Sequence, residues 1–425
     1  MSLALLWGLS ACGGGSGAPP APLPTVAPRI DSFQASSTAV ARGGEVTLSW
    51  STSGADVVDL EPLAQGLPPD GERRVRVQDS SFYTLSARNA IGTTTQNLNV
   101  AAVDYDWTAL QAELDSLIPE AVVDAYVFEL RVDDVTVFRS NGGDLQPDSA
   151  VFVASASKAL ASAALLTLVR DGLLDLDEPV ATYLEPEIDW PSPKSAITTR
   201  MLLNHTSGLA TDIDCISDPA SDLRECVQSI ADAPLQSVPG NAFAYGGNSY
   251  QVAGLIAEIL SGQSFNTFFI ERLADPLDMP QTRFFGTNPR VAGGATTSAP
   301  DYLRFMQMLL SEGRVGDEPF LPQALAREVR SSQIQGRPRR QLPPGASAFF
   351  DGYALGWWHT RSNALQGLSD GPEISDPGLF GTVPWMDFDR RYAAILLLRS
   401  EGVVVGVQIW DDLRPLILAQ LAGQS

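Results

Sequence analysis

The sequence predicts an α+β protein preceded by a small all-β module, and three observations carry that prediction. Residues 29–103 run in short stretches of alternating apolar and polar side chains, the pattern of half-buried strands. From residue 104 onward strand-like and helix-like stretches are segregated, with strands at both ends of the region and apolar helices between them. At 425 residues, 44% apolar and 18% charged, the chain is too long for one ordinary domain and has the composition of a globular protein with a sizeable core.

The elements follow in chain order. Residues 1–12 form a short apolar run, well under the roughly 20 residues needed to span a bilayer. It ends in Leu9-Ser10-Ala11-Cys12, which resembles the lipobox of bacterial lipoproteins. That resemblance implies lipidation of Cys12, export, and residence on the periplasmic face of a membrane or at the cell surface, with the lipid as the only membrane attachment. No Lys or Arg precedes the run, as one would in a signal segment, which places the start codon in question. A plain cleaved signal with an incidental cysteine is the alternative. Residues 13–28, rich in Gly and Pro, read as a flexible tether.

In residues 29–103, Val46, Leu48 and Trp50 share one face of a strand, as do Tyr83, Leu85 and Ala87, with Leu98 and Val100 following. Gly43-Gly44 and Ala90-Ile91-Gly92 punctuate them as turns. A small β-sandwich is expected; Phe33, Trp50 and Tyr83 make it look like a bacterial immunoglobulin-like module. Having no cluster of reactive side chains, it reads as a spacer, with cell-wall binding the minority reading.

Residues 104–425 form the second domain. Trp107–Leu117 reads as an amphipathic helix, and Tyr126–Leu130 with Val135–Arg139 as a hairpin turning at Asp133-Asp134. Ser155–Arg170 is a helix rich in Ala and Leu, closed by Gly172. Tyr250–Leu260 and Tyr302–Ser311 are further helices. Tyr392–Leu398 and Val403–Trp410 are expected to pair as a hairpin before a last helix, Leu413–Leu421.

Charge and cysteines narrow the function classes. A net charge of −22 without a basic stripe argues against nucleic acid and against anionic lipid headgroups as partners. Cys215 and Cys226 lie in a polar stretch, and export would let them pair. No metal-binding motif and no cofactor motif is present, and a metal role for the two cysteines lacks a nearby His or second Cys pair.

Chemistry concentrates at Ser155-Ala156-Ser157-Lys158. At a helix start, positions i and i+3 share a face, so the Ser155 hydroxyl and Lys158 amine can meet. A buried lysine of lowered pKa can take the serine proton, and the helix N-terminus supplies N–H groups for an oxyanion. Lys158 and Lys194 are the only lysines in a chain that otherwise uses arginine, which cannot serve as a base. The spacing is weak evidence by itself; the sequence around it is stronger. Downstream come Gly172–Val180, Thr199–Leu209 with Asn204-His205-Thr206-Ser207-Gly208, then Pro239-Gly240 and Phe243-Ala244-Tyr245. In this order they resemble the serine β-lactamase-like superfamily, in its branch of class C β-lactamases, D-aminopeptidases and carboxylesterases, from about Trp107 to the C-terminus.

The resemblance implies a β-lactamase/transpeptidase-like fold, an antiparallel sheet flanked by helices with a helical subdomain, and no cofactor. It implies that Ser155 is acylated, that Lys158 and Tyr245 handle its proton, and that the N–H groups of Ser155 and Leu379 hold the oxyanion. Ser157 receives no role, and His205 supports the fold. Two departures stand out. The second motif, usually Tyr-x-Asn, is Tyr245-Gly246-Gly247 with Asn248 one place late. The third, usually Lys or His with x-Gly, is Asp376-Pro377-Gly378. An aspartate there is expected to repel a substrate carboxylate, and Gly247 to lack the amide that would hold an acyl side chain. The reading is a serine hydrolase acting through an acyl-enzyme on small esters or amides, esterase-like. A β-lactamase or D-Ala carboxypeptidase, or a non-catalytic cell-wall-binding relative, is the alternative. Gly367-Leu368-Ser369-Asp370-Gly371 matches a nucleophile elbow in letters only, because polar residues precede it and Pro372 follows. Trp357, Trp358 and the Pro384–Asp387 stretch are either pocket wall or core.

Overall fold

The computed structural model describes residues 26–121, 123–218, 220–360, 373–400 and 403–422. The Leu9–Cys12 stretch, the tether up to residue 25 and the Gly367–Gly371 match lie outside the described residues.

The described chain divides into two units. In the first, Arg29–Ala35, Gly44–Ser53 and Gly71–Val77 make one sheet with Gly44–Ser53 in the middle. Thr93–Val103, Ser81–Arg88, Val57–Glu61 and Ala64–Leu67 run side by side in that order in another. Phe33, Leu48, Trp50, Tyr83, Leu85 and Ala87 are all buried, as the alternation requires for a small sandwich. Residues 39–45 and 77–79, which the strand pattern assigns to the sandwich, group instead with the second unit.

The second unit is built on a seven-stranded antiparallel sheet. Its elements are α1 (Thr108–Glu120), β1 (Tyr126–Val132), β2 (Val135–Gly142), α2 (Ser157–Arg170), α3 (Leu223–Asp232), α4 (Asn248–Ser261), α5 (Ala299–Leu310), β3 (Phe350–Ala354), β4 (Trp357–Thr360), β5 (Glu373–Ser375), β6 (Val383–Asp387), β7 (Tyr392–Leu398) and α6 (Val403–Ala422), with shorter turns between them. The strand order is β2-β1-β7-β6-β5-β4-β3. The expected first hairpin is present: Asp133 and Asp134 both take positive φ, 50° and 67°, as a two-residue turn of that hand demands. Strand β7 is buried along its whole length, because helices cover both faces of the sheet.

Two boundaries differ from expectation. Ser155 sits in a short 3₁₀ turn, Ala154–Ala156, and the α-helix begins only at Ser157. The Val403–Trp410 strand is absent: those residues open helix α6. A run of Val suggested a strand, yet Trp410, Leu413 and Ile417 recur every three or four residues and are buried with the β6 and β7 side chains Trp385 and Leu396. Tertiary burial overrode local β-propensity. Among the described residues no helix is long and apolar enough to cross a membrane.

Candidate active site

Helix α2 has no polar face, and its residues from Ser157 to Leu168 are all buried. A helix apolar all round lies inside a core, and this one carries the Ser155 turn at its N-terminal end. Ala154 takes φ of 46°, an unfavourable conformation for a residue with a Cβ. Neighbours hold the turn in place. The Tyr302 hydroxyl donates to Ala156 O at 2.9 Å, and Ser157 Oγ accepts from Ala295 N at 3.0 Å. Ser157, given no role from sequence, thus fixes the segment that includes Ala292.

That segment matters because Lys158 Nζ donates to Ala292 O at 2.9 Å and lies 3.2 Å from Ser155 Oγ. Burial pushes the Lys158 amine down to about 8, with Asp376 and Asp212 opposing the shift and Arg290 reinforcing it. The ammonium also lies 4.5 Å from the centre of the Tyr245 ring. Tyr245 is half-buried and lines the same cleft as Ser155. Desolvation, then the charge of Asp376, raises the Tyr245 hydroxyl well above its ordinary value, so it stays protonated at neutral pH. The ring rests on His205, 4.6 Å between centroids, and on Trp358, 5.2 Å. His205 is fully buried and neutral, its pKa driven far down by burial and by Lys158. Its carbonyl accepts from Ala244 N at 2.9 Å, which fixes the strand residue preceding Tyr245.

Ser155 and Tyr245 open onto an apolar cleft lined also by Phe349, Phe350, Trp358, Leu379 and Val407. Trp358 is therefore cleft wall, whereas Trp357 stacks on Phe305 in the core. The Pro384–Asp387 stretch is buried in β6.

Several expected site residues stand elsewhere. Asp376 does not face substrate: it is fully buried, and its carboxylate accepts from Ala159 N at 3.1 Å. Burial raises its pKa well above the usual carboxylate range, with Lys158 pulling it back. A group turned into the N-terminal turn of α2 cannot repel a substrate carboxylate at the cleft mouth. Gly378 N–H is taken by Thr382 O at 2.8 Å, so it is not a substrate donor. Its role is steric, since a Cβ there would lie 2.0 Å from Val153 O. Leu379 next to it is 57% exposed and lines the cleft. Asn248 is fully buried, with its side chain donating to Ala210 O at 2.7 Å and accepting from Ile213 N at 3.2 Å. It clamps a loop instead of facing substrate. That loop explains the two glycines of the second motif. A Cβ on Gly246 would lie 2.2 Å from Thr211 O, and one on Gly247 would lie 2.9 Å from Asp212 Oδ1. Asp212, which carried no signal in the sequence, occupies the side-chain space of Gly247. The Cys215–Cys226 disulfide closes just beyond it.

A seven-stranded antiparallel sheet flanked by helices, with a serine in the turn before a buried helix, defines the serine β-lactamase class of hydrolases. The sequence profile of the β-lactamase family matches residues 121–417, and the chain belongs to that family. It is similar to protein flp of Staphylococcus aureus (strain MW2), 29% identical over 146 residues that cover 33% of this chain. The match spans only 29% of the flp length. Among solved structures it resembles a protein of Bacteroides dorei DSM 17855 classed with the β-lactamases, 26% identical, TM-score 0.64, covering 74% of this chain and all of that one. It also resembles EstCE1, a hydrolase with promiscuous acyltransferase activity, at 17% identity and TM-score 0.60, covering 72% of this chain and 97% of that one.

Proposed function

We propose that the protein is an esterase-like serine hydrolase that acts through an acyl-enzyme on small ester or amide substrates. The observation that carries this reading is the buried Lys158 amine, 3.2 Å from Ser155 Oγ, with its pKa lowered to about 8. In its neutral form it accepts the Ser155 proton, and the serine oxygen attacks the substrate carbonyl carbon. In this reading the N–H groups of Ser155 and Leu379 are the donors to the resulting oxyanion, which is supported by neither of them donating to another backbone carbonyl among the described residues. Tyr245, kept protonated, passes a proton to the departing alcohol or amine, and Lys158 replenishes it. A water then releases the acyl group by the reverse sequence. The apolar walls of the cleft support an uncharged acyl group. In the same reading, Cys12 anchors the exported protein by lipid and residues 29–103 act as a spacer.

The test compares kcat/KM for p-nitrophenyl acetate or butyrate with that for nitrocefin, and repeats the ester assay on Ser155→Ala. The ester is expected to win, and the variant to lose several orders of magnitude while its circular dichroism is retained. Efficient nitrocefin turnover would restore the β-lactamase alternative. Ester activity of Ser155→Ala within about threefold of wild type would remove Ser155 from the mechanism.

A further inference from the structure

We infer that Asp376 is a positioning residue that acts through Lys158, as the buried counter-ion of the ammonium formed when the lysine takes the Ser155 proton. The inference rests on the serine hydrolase reading above and deepens it, since that reading gives Asp376 no part.

Placement is the first argument. Asp376 follows directly on β5 and stands between two anchored neighbours. Ser375 Oγ donates to Pro384 O at 2.7 Å, and Gly378 N donates to Thr382 O at 2.8 Å. Its own Oδ2 accepts from Ala159 N, the residue after Lys158, in the first turn of α2. Gly356 presses on the same turn: a Cβ there would lie 2.9 Å from both Ala159 Cα and Lys158 O. The carboxylate is therefore fixed against the stretch of backbone that carries the lysine.

The second argument is that the hydrogen bond alone does not call for a charge. An asparagine oxygen would serve a helix-terminal N–H as well. Asp376 is fully buried, and its Oδ1 accepts no hydrogen bond among the described residues. An ionised group in such a place is costly unless a cation compensates it. Lys158 is the charge that acts on Asp376. In return Asp376 leads the groups that hold a proton on the lysine, ahead of Asp212 and against Arg290. The other titratable neighbours of the amine are uncharged: the Tyr245 and Tyr250 rings, 4.5 and 5.8 Å away, and His205. Among the described residues no ion pair joins Lys158 to Asp376, so the attraction acts through space, where burial leaves it weakly screened.

The third argument is the chemistry of the step. Neutral Lys158 donates to Ala292 O and turns its lone pair toward Ser155 Oγ, 3.2 Å away. As the O–H bond breaks, the proton joins that lone pair and the Oγ electrons form the bond to the carbonyl carbon. A positive charge then appears on an amine that is shut off from water, since Lys158 is buried. Asp376 offsets that charge without moving or exchanging a proton. A cation buried in the same place would oppose the transfer.

The test titrates the lysine itself in Asp376→Asn, which keeps an acceptor for Ala159 N and removes only the charge. Protein labelled with ¹³Cε-lysine gives two side-chain signals, because Lys158 and Lys194 are the only lysines; Lys194→Arg assigns them. The Lys158 midpoint, about 8 in the wild type, is expected to fall by about one pH unit. The Lys194 midpoint should stay, which controls for general damage. The rising limb of kcat/KM against pH for p-nitrophenyl butyrate should move down with Lys158, and its plateau should drop about tenfold. Should Asp376→Asn lose its near-UV circular dichroism, Asp376→Ser, smaller and still an acceptor, is titrated with the same expectation. A folded variant whose activity falls while the Lys158 midpoint stays put would make Asp376 a helix cap only and overturn the inference. The titration needs no turnover, so it judges Asp376 alone. Fluorophosphonate labelling of wild type and Ser155→Ala judges the hydrolase reading separately, and failure of Ser155 to take the label defeats that reading.

Discussion

At the scale of single residues, Lys158 and Lys194 show what the rarity of lysine does and does not reveal. Both are buried, and the sequence offers them as equals. Lys194 proves to be structural: it donates to Ile230 O at 3.2 Å and to Ala231 O and Ala233 O, closing the C-terminal end of helix α3. Lys158 alone meets a serine. Lys158→Arg should therefore lose nearly as much kcat/KM as Lys158→Ala, because a guanidinium keeps the charge but cannot shed a proton. An arginine variant of near wild-type activity would reduce Lys158 to an electrostatic prop. The pH profile gives an independent check. Since burial lowers the lysine to about 8, the neutral, proton-accepting fraction grows as pH rises through that value. The kcat/KM for a neutral ester should climb tenfold per pH unit below it and level above it; a profile flat from pH 6 to 9 would contradict the assignment. Ser155, Lys158 and Tyr245 were legible because their spacing is local or falls within recognisable motifs. Asp212 was not, because it reaches Gly247 across 35 residues of chain and no local pattern marks it. The orientation of Asp376 was equally hidden: its letter in the third motif says nothing about which way a buried carboxylate turns.

At the scale of elements, amphipathic and sharply terminated segments were the readable ones. Helix α2 ends where Gly172 adopts φ of 72°, and the first hairpin turns at its two aspartates. The expected last helix, Leu413–Leu421, is the second half of α6; its first half, Val403–Trp410, reads as a strand because its valines favour strands by local propensity, and only the sheet it covers decides otherwise. The segment around residues 210–215 is held by the Asn248 and Asn288 side chains and by the Cys215–Cys226 disulfide. Replacing both Cys215 and Cys226 by Ser should lower unfolding free energy by about 2–3 kcal/mol, the chain-entropy value for so short a closed loop. Urea denaturation of the double variant measures this. An unchanged midpoint would show that the Asn248 and Asn288 hydrogen bonds hold the loop without the sulfur bridge.

At the scale of the whole molecule, acidity and an arginine-only surface go together. The net charge of −22 keeps like molecules apart in solution, and the basic partners of its carboxylates are overwhelmingly guanidinium groups. Arg200 bridges Asp177 and Glu328, and a fully buried pair joins Arg414 of α6 to Glu373 of β5. The burial of both lysines has a practical consequence. Each lysine is only 3% exposed as a residue, and both amines are hydrogen-bonded inside the protein, so the folded surface presents no freely accessible side-chain primary amine. Bulky amine-directed dyes and crosslinkers should leave residues 104–425 unmarked until the domain opens. Mass spectrometry of tryptic peptides after a short pulse of such a dye, taken across a urea series, should show Lys194 acquiring the label along the same curve as the loss of tertiary circular dichroism. Rapid labelling of Lys194 in buffer alone would contradict its burial. Protein and dye together thus form a reporter of unfolding that needs no engineered tag.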